Sequence, residues 1–464
     1  MKLLPFFMLI QLFTAAQGVH NKAGRSSSVI EKEIDGLFDK WNHSETPGAT
    51  VAIVKDGRMV FSKGYGQANL EYNSANKPST SFHIASLSKQ FTAYCILLLE
   101  KEGKISLEDE IGKYLPEMQP AVRSVKIKQL LNHTSGIREW IYLMGLSGWG
   151  LNDLFTQEEI LKLLSQQKEL NFDPGSQFMY INSGYTLLGE IVSRVSGKSF
   201  SEFTNQYIFR PLGMADTKVL ADHEEIIMHR AYSYSFEGGN SYKKKTLNLA
   251  NVIGSTGVMS TAEDLSKWVA HLEEPTIGNR EMIQKMSTKS ILVTGDSTSY
   301  GMGQFIGSYR GLRTIEHGGS DAGFRTHLLR FPDQRLSIIV LGNVASLNAN
   351  ELAYKIADFY LGAEKPKRTN GVVVTKNSEE KFAKIDLEIL KKYEGKFELQ
   401  PGLIMDFKVQ GDNLTVNVTG QGKFTLLAIS QSSFTIPGPG ANIKFKDGEG
   451  EVNELDFQIN ERQM

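Results

Sequence analysis

The sequence predicts an α/β (α+β) domain, in which an antiparallel sheet is built from both ends of the domain around a helical insert, followed by a small all-β barrel. Three observations predict this architecture. Strand patterns occur near residues 49–61 and again near 314–341, helical patterns fill about 105–290, and short alternating strands follow Leu390. Strands on either side of helices are typical of a layered α+β domain. Evenly spaced short strands are typical of a small barrel or sandwich.

The chain has 464 residues, too many for one ordinary core, so two domains are expected. Residues 1–18 resemble a secretory signal peptide, because Lys2 precedes an apolar run that ends near the small residues Ala16 and Gly18. That run is short for the ~20 residues of a spanning helix. We therefore expect cleavage and a secreted or periplasmic protein. The absence of a following cysteine argues against a lipid anchor.

The first domain is expected over residues 19–362 and begins with a β-hairpin and a helix. Residues 49–54 and 59–61 have strand composition and flank Asp56-Gly57, a pair typical of hairpin turns. A helix follows Ser86, with its apolar side chains on one face and Gly103 at its end.

Helices and strands alternate along the rest of this domain. Further helices are expected at 184–195, after Thr261 with Asp264 completing a capping box, and at 350–360. Strands are expected at 314–316, 327–331 and 336–341.

A polar segment, 363–385, is expected to be a linker to a C-terminal domain, 386–464. Seven strands are expected in that domain, at 395–399, 405–409, 414–418, 424–428, 433–436, 443–445 and 454–459.

Composition excludes several classes of function. The net charge is −1 and no basic run with interleaved aromatic residues occurs, which argues against a nucleic-acid partner. Cys95 is the single cysteine, and no two histidines stand at zinc-ligand spacing on one helix. We therefore expect neither a metal nor a cofactor, and a small molecule or short peptide as the partner. The sequence indicates no particular oligomeric state.

The candidate nucleophile is Ser86, three residues before Lys89 in "SFHIASLSKQFTAYC". Residues i and i+3 share a helix face, so the Lys89 amine can reach the Ser86 hydroxyl, and the helix N-terminus favours an anion there. Ser-x-x-Lys alone is a weak signal, since the spacing also occurs in polar surface stretches. The alternative is that Ser86 caps the helix and Lys89 is solvated.

Two more segments favour the catalytic interpretation of Ser86 over the capping one. Tyr180-Ile181-Asn182 precedes a helix, and His317-Gly318-Gly319-Ser320 follows a strand pattern. In this order the three segments resemble the signature boxes of the penicillin-recognising serine hydrolases, which include class C β-lactamases, DD-peptidases, D-aminopeptidases and esterases. The resemblance extends over about 30–360 and includes "LLNHTSG", "GVMST" and "FPD". The C-terminal domain resembles, more weakly, the lipocalin-like domain often appended to such enzymes.

The resemblance implies a role for each residue of the boxes. Ser86 would attack a carbonyl and form an acyl-enzyme. Lys89 and Tyr180 are both candidates for the base, the first with its pKa lowered by desolvation and the second as a phenolate beside cations. Asn182 would orient Lys89 and bind a substrate amide. His317 would support Tyr180 or a substrate carboxylate.

The remaining residues of the third box are expected to line the substrate. The backbone N–H groups of Ser86 and Ser320 would form the oxyanion hole. Gly318 and Gly319 would let the substrate lie close to their strand.

The sequence therefore predicts an exported serine hydrolase that cleaves a small ester or a D-residue amide or peptide. β-Lactamases carry lysine where this chain has His317, which weakens the fixed positive charge for a β-lactam carboxylate, so a β-lactamase is the lesser alternative. The alternative from another class is a catalytically silent protein that binds peptidoglycan-type ligands. The chain keeps all five side chains of the boxes, Ser86, Lys89, Tyr180, Asn182 and His317. A protein that only binds its ligand does not need this set.

Overall fold

A computed structural model describes residues 27–149, 153–238, 241–247, 249–361, 385–400, 403–411, 413–418, 422–436, 441–446 and 455–459. The expected signal segment lies outside these residues, as does the expected linker except for its last residue. The described residues form two compact units, 27–361 and 385–459. No helix in the described part of the chain is long and apolar enough to cross a membrane.

The first unit contains eleven α-helices and fifteen strands among its described residues. The helices are α1 Ser27–Phe38, α2 Ser88–Lys101, α3 Pro120–Arg123, α4 Ile127–Leu131, α5 Trp140–Leu146, α6 Gln157–Ser165, α7 Asn182–Ser196, α8 Phe200–Thr204, α9 Ala262–Glu273, α10 Arg280–Met286 and α11 Ala349–Leu361. The strands are β1 Ala49–Lys55, β2 Arg58–Tyr65, β3 Gln67–Asn69, β4 Ser74–Ala75, β5 Phe82–His83, β6 Phe155–Thr156, β7 Lys218–Val219, β8 Ser233–Gly238, β9 Ser241–Lys245, β10 Leu249–Ala250, β11 Val258–Ser260, β12 Phe305–Tyr309, β13 Leu312–Asp321, β14 Phe324–Phe331 and β15 Leu336–Gly342.

The central sheet is built from both ends of this unit, as expected. Its six strands are in the order β12-β13-β14-β15-β1-β2, and all neighbouring strands are antiparallel. β1 pairs with β15 from Ala49↔Gly342 to Lys55↔Leu336, which joins the two chain ends in one sheet. The helical region between them is the predicted insert.

Each face of the sheet is covered by helices. One core lies against α1 and α11 and includes Ile34, Val51 and Ile356, all fully buried. The other contains α2 and α9 and includes Ala52 and Ile339. The nucleophile candidate and its box partners lie on this second side, where α2 meets the insert.

Local signals place the hairpin turn and the start of α9 correctly, but the strand expected at 314–316 extends over Leu312–Asp321 and includes the third box. Asp56 and Gly57 both have positive φ, 51° and 73°, as a type I′ hairpin turn requires. Thr261 caps α9 by accepting a hydrogen bond from Asp264 N–H, but the Asp264 carboxylate binds Thr217 and Lys267 instead of completing a capping box.

The prediction that α2 buries a single face is wrong. Every side chain from Ser88 to Leu97 is buried, because the helix runs through the interior between the sheet and the insert. Gly103 follows its end with φ 70°, as predicted.

The second unit consists of helix α12 Leu387–Lys391 and eight strands, β16 Gly395–Gln400, β17 Leu403–Gln410, β18 Asn413–Val418, β19 Gly422–Thr425, β20 Leu427–Ala428, β21 Ser433–Ile436, β22 Ala441–Phe445 and β23 Leu455–Ile459. They form two four-stranded antiparallel sheets, β16–β19 and β20–β23. The barrel prediction is wrong for the described residues, since the sheets do not close on each other. The expected strand at 424–428 divides at buried Leu426, after which the chain pairs with new neighbours. The lipocalin-like resemblance is not confirmed.

Candidate active site

Ser86 stands in a single 3-10 turn, Ala85–Leu87, that leads into α2. Ala85 has φ 50°, a left-handed conformation that costs a residue with a Cβ about 1–2 kcal/mol. The surrounding structure holds this turn in place, since Thr326 Oγ1 on β14 donates to the carbonyl of Ile84 at 3.0 Å. The strained turn keeps Ser86 at the head of the helix, half-buried, with its side chain beside Lys89.

The Lys89 amine is the centre of the site. It donates to Ser86 Oγ at 3.0 Å, to Asn182 Oδ1 at 2.8 Å and to the backbone carbonyl of Ser255 at 2.8 Å. Its side chain is 0% exposed. Three acceptors match the three N–H donors of an ammonium, so the lysine is held in one orientation with one donor on the candidate nucleophile.

Burial lowers the pKa of Lys89 to about 7, and the negative charges of Glu139 and Asp321 oppose that shift. A lysine near this value is partly neutral at physiological pH. A neutral amine 3.0 Å from Ser86 Oγ can accept its proton. The alternative in which Lys89 is a solvated surface residue is therefore wrong.

Tyr180 lies beside the same lysine, with its ring centroid 5.0 Å from Lys89 Nζ. Burial raises its pKa, and the nearby Ser86 hydroxyl opposes the rise only in part. Burial therefore favours the protonated phenol over the phenolate expected from the sequence, because desolvation outweighs the influence of Ser86. The Tyr180 hydroxyl is buried near Ser86 but forms no hydrogen bond of normal geometry with the described residues. Its proton is therefore not committed to another acceptor.

The ring of His133, from "LLNHTSG", packs against the ring of Tyr180. It is 0% exposed, its ring lies 4.3 Å from the Tyr180 ring, and its Nδ1 accepts from Ile181 N–H at 3.3 Å. Burial and the Lys89 charge hold the pKa of His133 well below its usual range. It is a neutral, packed histidine.

His317 is engaged on both ring nitrogens. Nδ1 lies 2.6 Å from the carbonyl of Gly318, and Nε2 lies 3.0 Å from the Tyr300 hydroxyl. Burial and the Lys89 charge lower the pKa of His317 to about 3, so the ring is neutral at physiological pH. A carbonyl only accepts, which assigns the proton to Nδ1 and makes Nε2 the acceptor of the Tyr300 O–H. His317 therefore supplies no fixed positive charge.

The two glycines of the third box have different surroundings. A Cβ on Gly319 would lie 2.3 Å from the carbonyl oxygen of Ile84 and 2.3 Å from Thr326 Oγ1. These two atoms form the hydrogen bond that holds the Ser86 turn in place. A Cβ on Gly318 would meet nothing closer than His327 Nδ1 at 3.4 Å. The absent side chain of Gly319 thus makes room for the serine turn, not for a substrate.

The strand carrying this box has an open edge. β12 pairs with β13 only as far as Phe305↔Glu316, so from His317 to Asp321 that edge has no strand partner among the described residues. Ser320 is exposed and lies next to Gly319, which touches the serine turn. An extended substrate can pair with this edge while its carbonyl points toward Ser86.

Gly319→Ala is expected to lower the free energy of unfolding by about 1–3 kcal/mol, because its Cβ forces the serine turn or Thr326 to move. We expect kcat/KM to fall with it, since Ser86 moves with the turn. Gly318→Ala is the matched control and should change the unfolding free energy by less than about 0.5 kcal/mol. Urea unfolding of the two variants measures both. Equal stability of the two would contradict this account.

Two site residues were missed from the sequence, Glu139 and Ser255, while Tyr300 was expected to border the site without a role. Ser255 binds Lys89 only through its backbone carbonyl, which no side-chain pattern reveals. Glu139 is a single residue with no partner at a recognisable spacing. The one available signal for Glu139 was its place directly after "HTSGIR".

The arrangement is that of a nucleophilic hydroxyl with an adjacent base and a second proton donor. Ser86, Lys89, Tyr180 and Asn182 come together, and the His317 ring lies 5.9 Å from the Tyr180 ring. Within the described residues, no group of three or more His, Cys, Asp or Glu side chains is placed to hold a metal ion. The geometry fits acyl transfer.

Comparison with known proteins gives consistent matches. The family model described as Beta-lactamase matches residues 34–361. The chain is 26% identical over 431 residues to Penicillin-binding protein 4* of Bacillus subtilis, covering 90% of this chain and 94% of that protein. It is 27% identical to a D-aminopeptidase of Brucella anthropi, over 69% of this chain and 60% of that protein.

Solved structures agree with the sequence matches. The octameric penicillin-binding protein homologue from Pyrococcus abyssi is similar with a TM-score of 0.65 and 26% identity, over 94% of this chain and 98% of that one.

Proposed function

The chain belongs to the β-lactamase family of serine hydrolases, and from this premise we propose that it cleaves a small amide or ester through an acyl-enzyme on Ser86. One observation carries the proposal: a fully buried Lys89 amine lies 3.0 Å from Ser86 Oγ, with a pKa of about 7. A hydroxyl is a weak nucleophile until a base removes its proton, and such a base is typically worth ~10²–10⁴ in rate.

The reaction follows from the contacts. Neutral Lys89 takes the proton of Ser86 as Oγ bonds to the substrate carbonyl carbon. The N–H groups of Ser86 and Ser320 stabilise the oxyanion, each being worth ~10²–10³. Tyr180 donates its proton to the leaving amine or alcohol and is reprotonated by the Lys89 ammonium. Water then repeats the sequence on the acyl-enzyme and releases the acid.

The substrate is proposed to be an amide or peptide of a D-residue, or a carboxylic ester, in preference to a β-lactam. A neutral His317 with both nitrogens engaged supports this order, because it offers no cation for the carboxylate of a β-lactam. The names of the relatives, a penicillin-binding protein and D-aminopeptidases, support the D-residue class.

The test is a kcat/KM series on D-alanine p-nitroanilide, p-nitrophenyl butyrate and a chromogenic cephalosporin. We expect the anilide or the ester to exceed the cephalosporin by at least about 10²-fold, the scale on which one unmatched polar group discriminates substrates. L-Alanine p-nitroanilide is the matched control for stereochemistry. A dominant cephalosporin rate would make the protein a β-lactamase. Hydrolysis of none would favour the binding protein.

We further propose that the protein acts outside the cytoplasm, secreted or periplasmic. The mostly apolar segment at residues 3–13, followed by the small residues Ala15, Ala16 and Gly18, supports export. Fractionation of the producing cells, with N-terminal sequencing of the recovered protein, tests this. A cytoplasmic protein that retains residues 1–18 would contradict it.

A further inference from the structure

Glu139 is a buried carboxyl group held between two helices of the insert. It is 8% exposed. Its Oε1 accepts from the N–H of Ile141, in α5, at 3.2 Å, and its Oε2 accepts from the N–H of Asn182, the first residue of α7. The positive ends of helices stabilise a negative charge at such a place.

The segment around Glu139 is fixed to the start of α7. Ser183 Oγ donates to the carbonyl of Arg138 at 2.7 Å and accepts from Trp140 N–H at 2.8 Å. The residues on both sides of Glu139 are therefore tied to the residue that follows Asn182. A carboxyl group on this segment cannot move without moving the helix start.

Asn182 stands between this carboxyl group and the catalytic lysine. Its side-chain oxygen accepts from Lys89 Nζ at 2.8 Å, while its backbone N–H and its side-chain amide face Glu139. An amide has one acceptor end and one donor end. A negative group on the donor side therefore fixes the acceptor end toward Lys89.

Few of the titratable side chains that face Lys89 carry a charge. The titratable groups that face it are Glu139, Asp321, His133, His317, Tyr180 and Tyr185. Both histidines are neutral, and burial raises the pKa of both tyrosines. Glu139 and Asp321 are the two carboxyl groups that act on Lys89, and Glu139 is the stronger influence of the two. The Asp321 side chain is 30% exposed, so solvent screens it more.

We propose that Glu139 is a positioning residue of the active site: it orients Asn182 so that the amide oxygen faces Lys89, and it supplies the buried counter-charge for the Lys89 ammonium. The inference rests on the proposed function, since it assigns Glu139 to the base that activates Ser86. Burial raises the pKa of Glu139, while the Asn182 and Ile141 N–H groups and the Lys89 charge oppose that rise. The carboxylate and the ammonium stabilise each other in a site where either alone is costly.

The test is the pH dependence of Ser86 labelling by a fluorophosphonate, which forms an O–P bond to an activated serine and releases fluoride. Loss of the Glu139 charge lowers the pKa of Lys89, so neutral lysine persists to lower pH. The labelling rate rises with pH along an acid limb as Lys89 loses its proton. In Glu139→Gln we expect this limb to move down by about one pH unit, because the loss of a close opposite charge shifts a pKa by about that amount. We expect the plateau rate to fall roughly 10-fold to 100-fold from misplacement of the base.

Glu159→Gln is the matched control. Glu159 also accepts hydrogen bonds at a helix start, from Thr156 N–H at 3.2 Å and Thr156 Oγ1 at 2.6 Å, but it has no contact with Lys89. Its removal should leave the position of the limb unchanged. A simple capping role for Glu139 would give the same result as this control.

Glu139→Asp keeps the negative charge but shortens the side chain. It tests the role of the charge if Glu139→Gln does not fold. We expect its limb to stay near that of the wild type while the plateau rate falls. A folded Glu139→Gln with an unmoved limb would overturn this inference alone, whatever its plateau rate, as would a downward shift in Glu139→Asp. A wild-type protein that the probe does not label would overturn the proposed function as well.

Discussion

Ser86→Ala is expected to reduce hydrolysis of every substrate by at least about 10⁴-fold while the protein stays folded. The reason is geometric, since among the described residues Ser86 Oγ is the hydroxyl to which the Lys89 amine is hydrogen-bonded, at 3.0 Å. Without it the site retains the Lys89 amine but has no nucleophile to form the acyl-enzyme. The measurement is kcat/KM on p-nitrophenyl butyrate and D-alanine p-nitroanilide for the purified variant.

The stability of Ser86→Ala should change little. Lys89 loses one of three acceptors, a cost of about 1 kcal/mol, and the removed oxygen is replaced by hydrogen without a clash. Ser74→Ala is the matched control, because Ser74 and Lys77 share the Ser-x-x-Lys spacing but Ser74 is exposed on β4. A Ser86→Ala variant within tenfold of wild type would exclude the acyl-enzyme. Loss of activity in Ser74→Ala would point to a non-specific effect.

The parts of the fold that depend on local chemistry could be predicted from the sequence. Asp56-Gly57 needs positive φ at both positions and fixes the hairpin, and Gly103 marks the end of α2 in the same way. The joining of β1 to β15 was predictable because strands at both ends of a helical region must share a sheet to bury their apolar faces. The three boxes predicted which side chains meet at Lys89.

The parts that depend on tertiary packing could not be predicted. α2 carries an amphipathic pattern, yet its environment is buried on nearly all sides, which only the insert determines. The pKa of Tyr180 was expected to fall because cations were expected nearby, but desolvation has the larger effect and burial is invisible in the sequence. Glu139 belongs to the site through a hydrogen bond to a backbone N–H 43 residues away, which leaves no pattern.

The opposite pKa shifts of Lys89 and Tyr180 favour Lys89 over Tyr180 as the base. Burial lowers the pKa of Lys89 to about 7, so its ammonium loses a proton as the pH rises through that value and the neutral amine can then accept from Ser86. Burial raises the pKa of Tyr180, so the phenol stays protonated over the same range. The acid limb of the rate profile therefore belongs to Lys89, and the rate should rise through about pH 7 to a plateau.

Tyr180→Phe is expected to lower kcat/KM by at least about 10²-fold at every pH, because the proton donor to the leaving group is lost. The acid limb should remain near its wild-type pH, since Lys89 is untouched. Tyr185→Phe is the matched control: its ring also lies near Lys89, at 5.8 Å, but its hydroxyl is bound to the carbonyl of Leu131. A limb that disappears in Tyr180→Phe would make the tyrosine the base. A loss below about threefold would remove Tyr180 from the chemistry, because a general acid contributes far more than that.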